Sequence, residues 1–205
     1  MKHIEETERK FALHTIESAP ERSKKAMEWY QRNFQMIPNL TKLMSASPAL
    51  LNSYWETQLN ILEQGSLSAE EVNIVETVIA HENKCQYCVA GHTAFSKNPI
   101  FKNKEEDIEA IRNDKAFTDE KLNSLRDFSL AVLKHKGRVS DEEFEAFIKA
   151  GYTRAQALDI VTCIAAKVMS NFANQIALTP IDDAFAPLAE GLAYKEERKI
   201  LTIKS

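Results

Sequence analysis

The stretch "TRAQALDIVTCIAAKVMSNFANQIA", residues 153–177, decides the fold class. Thr153 and Gln156 stand three positions apart, so the Thr153 hydroxyl can accept the Gln156 amide while the Gln156 side chain returns to the Thr153 amide. That reciprocal pair starts a helix. Ala157, Leu158, Ile160, Val161, Ile164, Ala165, Val168, Met169 and Phe172 follow. At about 3.6 residues per turn they cover most of a helical circumference. A helix apolar nearly all round lies at the centre of a domain or at a subunit interface. Cys163 falls within it and reads as a small buried hydrophobe.

The same punctuation recurs along the chain. Ser68 with Glu71 and Ser140 with Glu143 repeat the capping box. Ser47-Pro48 and Ala19-Pro20 put proline at a first helical turn, where its missing N–H costs little. Gly65, Gly137 and Gly151 follow apolar-periodic stretches, where a left-handed residue ends a helix. Helices are expected near 20–36, 48–64, 69–82, 85–97, 104–114, 119–136, 141–150 and 154–177. "FALHTI" at 11–16 could be extended, and the chain after Pro180 reads as irregular. Few segments alternate with period two, so the fold class is all-α. One domain is expected over 1–205, with 1–19 an N-terminal arm and 180–205 a C-terminal tail. Shifted by 86 positions, "NIVETVIA" (73–80) lies over "DIVTCIAA" (159–166), and Cys85 and Cys88 fall on Asn171 and Asn174. That echo suggests a duplicated helical unit.

Composition narrows the function classes. The 205 residues are 44% hydrophobic and 27% charged, ordinary for a globular protein with a real core. A net charge of -4 offers no basic patch for nucleic acid. The opening "MKHIEETERK" is charged and unlike a signal peptide, and no apolar run approaches the roughly 20 residues that span a bilayer. A cytoplasmic location is expected. Three cysteines are too few for a disulfide scaffold, and in a reducing compartment a close pair reads as catalytic or metal-binding.

That pair lies in "HENKCQYCVAGHTAF", residues 81–95. Cys85, Cys88 and His92 are separated by three and four residues, which on a helix puts all three on one face. "ENK" at 82–84 reads as a break between helices and places Cys85 in a first turn, where unpaired amides and the helix dipole favour a thiolate. A redox dithiol, a metal site and an inert helix all fit this spacing. Zinc needs four ligands; His92 and the two cysteines supply three, and His81 sits on the preceding helix. His3, His14 and His135 are isolated and read as ordinary surface or interface residues. No Gly-rich phosphate loop occurs, so no nucleotide, flavin or other cofactor is expected. For redox work, thiol activation alone is small. Lowering a thiol from pKa ~8.5 to ~6.5 raises its thiolate about 25-fold at pH 7, and the accompanying loss of nucleophilicity removes about 8-fold. Proton management must supply the rest, typically about 10²–10⁴-fold.

"ENKCQYCVAGHTAF" resembles the redox motif of the alkylhydroperoxidase AhpD-like, peroxidase-related branch of the carboxymuconolactone decarboxylase superfamily. "IPNL" (37–40), "SPALLNSYW" (47–55) and "GYTRAQALDIV" (151–161) extend the resemblance over most of 11–187. It implies an all-helical bundle assembling into trimers, or multiples of dimers and trimers. It also implies that Cys88 attacks hydrogen peroxide or an organic hydroperoxide, that Cys85 resolves the sulfenic acid to a disulfide, and that His92 relays the proton. A lipoyl- or thioredoxin-type dithiol would then regenerate the pair. The helix-dipole argument favours Cys85 instead; His92, four residues past Cys88, favours Cys88.

Two departures bear on the relay. The family places a glutamate twelve residues before the first cysteine, where this chain has Asn73, and a histidine in some members where it has Tyr87. Glu76, one turn from Asn73, could substitute, against its ordinary reading as a solvated helix residue. Tyr87 could donate a hydrogen bond or pack. A dithiol oxidoreductase or a redox-sensing oligomer with little peroxidase turnover is the alternative, and a decarboxylase, which needs no Cys-x-x-Cys, stands further off.

Overall fold

The structure is a computed structural model in which residues 11–192 are described. Among them are ten helices and no strand: α1 (Glu21–Phe34), α2 (Asn39–Met44), α3 (Pro48–Gln64), α4 (Ala69–Glu82), α5 (Gln86–Ser96), α6 (Glu105–Arg112), α7 (Glu120–Lys134), α8 (Asp141–Lys149), α9 (Arg154–Ala177) and α10 (Ala186–Ala189). The all-α class is as expected. No described helix is long and apolar enough to cross a membrane.

Local chemistry sets the helix starts. Ser68, Ser140 and Thr153 each accept the N3 amide at 3.2 Å, and Glu71, Glu143 and Gln156 return to the cap amides at 2.9, 2.8 and 2.9 Å. Ser47 caps α3 by accepting from Leu50 N at 3.3 Å, with Pro48 as its first residue. Gly137 and Gly151 take positive φ (81° and 94°) just beyond α7 and α8. Gly65 instead ends α3 extended, at φ -68°; its missing side chain matters because a Cβ there would collide with the Ile61 carbonyl oxygen.

Every residue of α4 from Val72 to Ala80 is buried, and this helix packs against α5, α7 and α9. Two apolar clusters result. One joins α1, α2 and α3 to α5, the end of α9 and the tail; the other joins α4 to α6, α7, α8 and the first half of α9. Fully buried residues such as Leu51, Ile74, Leu125 and Ile160 each contribute about 1.5–3 kcal/mol. The buried polar side chains Glu76, His92 and Lys167 come from α4, α5 and α9, the helices that run between the clusters.

The structure adds two helices to those expected, α2 and α10. Residues 39–44 are helical, a six-residue element too short to show periodicity. Residues 11–16 form no strand. The described part of the tail, expected to be irregular, includes the four-residue α10 and is held to the bundle: Gln86 Nε2 donates to Ala189 O at 2.9 Å, and Arg112 Nη1 donates to Leu188 O at 2.7 Å. The rest of the expected tail, 193–205, and residues 1–10 of the expected arm lie outside the described residues. The echoed segments lie in α4 and α9, which pack on each other, yet the two copies differ. The first breaks after Glu82, with Lys84 at φ 55°, whereas α9 runs unbroken through the matching positions.

Candidate functional site

The break before α5 positions the cysteines. Lys84 turns the chain, Cys85 N donates back to Ala80 O at 2.9 Å, and α9 clamps the turn through Gln175 Nε2 to Asn83 O (2.6 Å) and Asn83 Nδ2 to Asn171 Oδ1 (2.9 Å). Cys85 becomes the N-cap of α5 and Cys88 its third residue. Both are free thiols, 2% and 4% exposed. Asn174 Nδ2 on α9 points at both sulfurs, 3.2 Å from Cys88 Sγ and 3.8 Å from Cys85 Sγ.

Their environments separate the two thiols. Burial pushes the Cys88 thiol up, but a hydrogen bond from Cys85, the Lys167 charge, and Asn171 and Ser170 on α9 outweigh it and bring Cys88 down to about 6. Cys85 is driven up, first by donating to Cys88 and then by burial. These surroundings favour the thiolate at Cys88 and the thiol at Cys85. Against the helix-terminus argument for Cys85 stand the hydrogen bond from Cys85, the Lys167 charge and the Asn174 amide, all of which act on Cys88.

His92 lies on the same face of α5, and a chain of hydrogen bonds fixes its tautomer. The Glu70 carbonyl can only accept, so it takes Asn103 Nδ2 (3.0 Å); Asn103 Oδ1 then takes Asn73 Nδ2 (2.6 Å). Asn73 Oδ1 is thereby left for His92 Nδ1 at 2.8 Å, and His92 must donate there. Its Nε2 is the acceptor, and Lys167 Nζ donates to it at 2.5 Å. Burial, and then the Lys167 charge, hold His92 well below its ordinary value, consistent with a neutral ring.

Glu76 is 2% exposed, so the solvated-residue reading is corrected. Its Oε2 lies 3.3 Å from His92 Nε2 and 3.5 Å from Lys167 Nζ, and Gln58 Nε2 donates to its two oxygens at 3.0 and 3.3 Å. Burial opposes the Lys167 charge, but Glu76, Cys88 and Cys85 outweigh it and raise Lys167 above its ordinary value. Tyr87 serves elsewhere: its hydroxyl donates to Asp182 Oδ2 at 2.5 Å and accepts from Leu40 N at 3.1 Å, tying α5 to α2 and the tail. His81, in the last turn of α4, faces Asp114 Oδ1 at 2.9 Å. Among the described residues no group of three or more His, Cys, Asp or Glu is arranged to hold a metal ion.

Sequence reasoning missed Lys167 and Asn174. The available signal was Lys167, Ser170, Asn171 and Asn174 at helical spacing, a polar seam in an otherwise apolar helix. All four are buried. Beside Cys88 opens a cavity of about 100 Å³ whose walls include Trp29, Tyr30, Phe34, Tyr54, Phe95 and Phe185 and whose polar side holds Glu76, His92 and Lys167.

No protein-family model matches the sequence, and no curated protein does. Solved structures do. The alkylhydroperoxidase AhpD core of an uncharacterized peroxidase-related protein from Ralstonia eutropha JMP134 has a TM-score of 0.76 at 22% identity, covering 86% of this chain and 93% of that one. An uncharacterized peroxidase-related protein from Silicibacter sp. TM1040 has a TM-score of 0.72 at 18% identity, over 85% and 91% of the two chains. A cysteine-to-alanine variant of the debrominase Bmp8 in complex with 2,3,4-tribromopyrrole has a TM-score of 0.66 at 16% identity, over 86% and 96%. The likeness establishes the fold: this is an all-α, AhpD-like chain.

Proposed function

We propose that this chain, built on the AhpD fold, is a dithiol peroxidase of the peroxidase-related branch that reduces organic hydroperoxides. Cys88 thiolate attacks the terminal oxygen, the O–O bond breaks, and an alkoxide leaves to be protonated. The Cys85 thiol then attacks the Cys88 sulfenic acid, releasing water and closing the disulfide. A dithiol donor of lipoyl or thioredoxin type returns both sulfurs, in a reducing cytoplasm where they rest as thiolate and thiol. The observation that carries the reading is geometric: two buried cysteines share Asn174 Nδ2, and only Cys88, the nearer at 3.2 Å against 3.8 Å, also lines the apolar cavity with Glu76, His92 and Lys167. That cavity favours an organic hydroperoxide over hydrogen peroxide, because its aromatic walls can bury an organic group while its polar side meets the peroxide oxygens. Copies of the chain are proposed to assemble through α9, whose Leu158, Val161, Phe172 and Ile176 are exposed at positions fitting one face.

The test is intact mass. Reduced protein mixed with one equivalent of cumene hydroperoxide should lose about two daltons within seconds, and Cys88→Ser should not. Oxidation no faster than that of free cysteine would sink the peroxidase reading and leave disulfide exchange or redox sensing in its place.

The aromatic walls favour one second reading, reduction of an aromatic halide. Cys88 would take the halogen, the ring carbon would keep the electron pair and a proton, and Cys85 would expel halide to close the same disulfide. Bromide release from tribromopyrrole, with no reaction toward hydroperoxide, would select it.

A further inference from the structure

We propose that Lys167 is the proton donor of the peroxide step, with His92 acting as the acceptor that aims its ammonium. The inference rests on the peroxidase reading above. Breaking the O–O bond leaves an alkoxide, and one proton must be stored beside Cys88 while that sulfur is itself a thiolate. The hydrogen-bond chain from the Glu70 carbonyl through Asn103 and Asn73 commits His92 Nδ1 to donate to Asn73 and leaves Nε2 as an acceptor. In that tautomer His92 has no proton to offer on the cavity side. Lys167 does: its Nζ lies 2.5 Å from His92 Nε2 and 3.5 Å from Glu76 Oε2, it is 1% exposed, and it shares the cavity wall with Cys88. Its charge acts on Cys88 and Cys85 from α9, Glu76 reaches it from α4 and His92 from α5, and the hydroxyls of Tyr54 (α3) and Tyr30 (α1) with the buried Cys163 thiol on α9 complete the titratable surroundings. The ammonium therefore has two tasks: its charge favours the attacking thiolate, and its proton goes to the departing oxygen.

The protons balance over the cycle. Cys88 thiolate, Cys85 thiol, Lys167 ammonium and hydroperoxide become disulfide, neutral Lys167 amine, alcohol and water. The reducing dithiol then brings two protons, one restoring the Cys85 thiol and one restoring Lys167, as Cys88 returns to thiolate.

Two readouts on Lys167→Met separate the tasks. The first is the pH midpoint of iodoacetamide alkylation, which reports the thiolate without any peroxide. It should move from about 6 to about 8, since a close cation is worth roughly one to three pKa. The second is the cumene hydroperoxide rate at pH 9, where both proteins hold thiolate. Lys167→Met should still be slower by about 10²-fold or more, the usual worth of a placed acid. Lys167→Gln combined with Glu76→Gln removes the ion pair as a unit; it covers the case in which the single variant misfolds, and it should show the same pH 9 deficit. A pH 9 rate equal to wild type in either variant would overturn the donor role. A wild-type protein inert to cumene hydroperoxide would overturn the peroxidase reading and this step together. A raised alkylation midpoint in Lys167→Met would then place the failure in the peroxide chemistry and not in the thiolate site.

Discussion

Cys85 and Cys88 carry the same group at the start of the same helix, and what distinguishes them is the hydrogen bond between them and what α9 presents to each. Asn174 Nδ2 sits 3.2 Å from Cys88 Sγ and 3.8 Å from Cys85 Sγ, so it serves chiefly the former. Hydrogen bonds to charged groups are worth about 1.5–3 kcal/mol, and Asn174→Leu should therefore raise the alkylation midpoint of Cys88 by roughly one to two pH. Alkylation kinetics against pH would measure it; an unmoved midpoint would mean that the amide does not stabilise the thiolate. The same asymmetry makes folding stability depend on pH. Between about 6 and 9, native Cys88 has lost its proton while the unfolded thiol keeps it. The unfolded state binds more protons there, and stability rises with pH. Above 9 the sign reverses, because native Cys85 keeps a proton that the unfolded chain releases. Melting temperature in reducing buffer should climb from pH 6 to 9 and descend beyond, and Cys88→Ser should lack the climb. Parallel curves for the two proteins would contradict the lowered Cys88.

At the scale of the element, α5 carries Gly91 as well as Cys88 at the cavity wall. A Cβ on Gly91 would meet only the Phe185 ring, at 3.7 and 3.9 Å, which is ordinary contact. Gly91→Ala should stabilise the helix by about 0.5–1 kcal/mol. Because Gly91 lines the cavity, the added methyl should also raise KM for cumene hydroperoxide while leaving hydrogen peroxide unaffected. Denaturant melts and paired substrate kinetics check both halves, and equal effects on the two substrates would argue against the cavity as the peroxide site. The bounds of α3, α4 and α9 were legible because Ser47, Ser68 and Thr153 announce them in local chemistry. That Cys88 and His92 line one cavity from the same helix is what their spacing of four suggests. What spacing could not supply was register between helices. Nothing local says that α9 meets α5 with Lys167 at His92 and Asn174 at Cys88. Likewise, nothing local distinguishes a buried Glu76 from a solvated one, except that "NIVETVIA" sets it between Ile74-Val75 and Val78-Ile79.

The whole molecule places the two faces of α9 under opposite demands. Its inward side holds Lys167, Ser170, Asn171 and Asn174 against the cysteines, and its outward side leaves Leu158 70%, Val161 50%, Phe172 50% and Ile176 62% exposed. Spacings of three, eleven and four keep these four close to one face of a helix, so they form a stripe rather than scattered single residues. A stripe of that kind on a chain of net charge -4, with few like charges within it to repel a copy, suits contact with a second copy of itself. The protein should therefore elute as an oligomer. Phe172→Asp with Ile176→Asp should shift it to a single chain, because an aspartate at a buried interface must give up its hydration. The thiolate should survive that change. Lys167 and Asn174 reach Cys88 within one chain, so the dissociated variant should still alkylate with a midpoint near 6. Light scattering behind size exclusion, read beside the alkylation curve, tests both parts. A wild-type protein that is already a single chain would remove the interface. A midpoint that rises on dissociation would mean that assembly holds α9 in register, and that the active thiolate belongs to the oligomer.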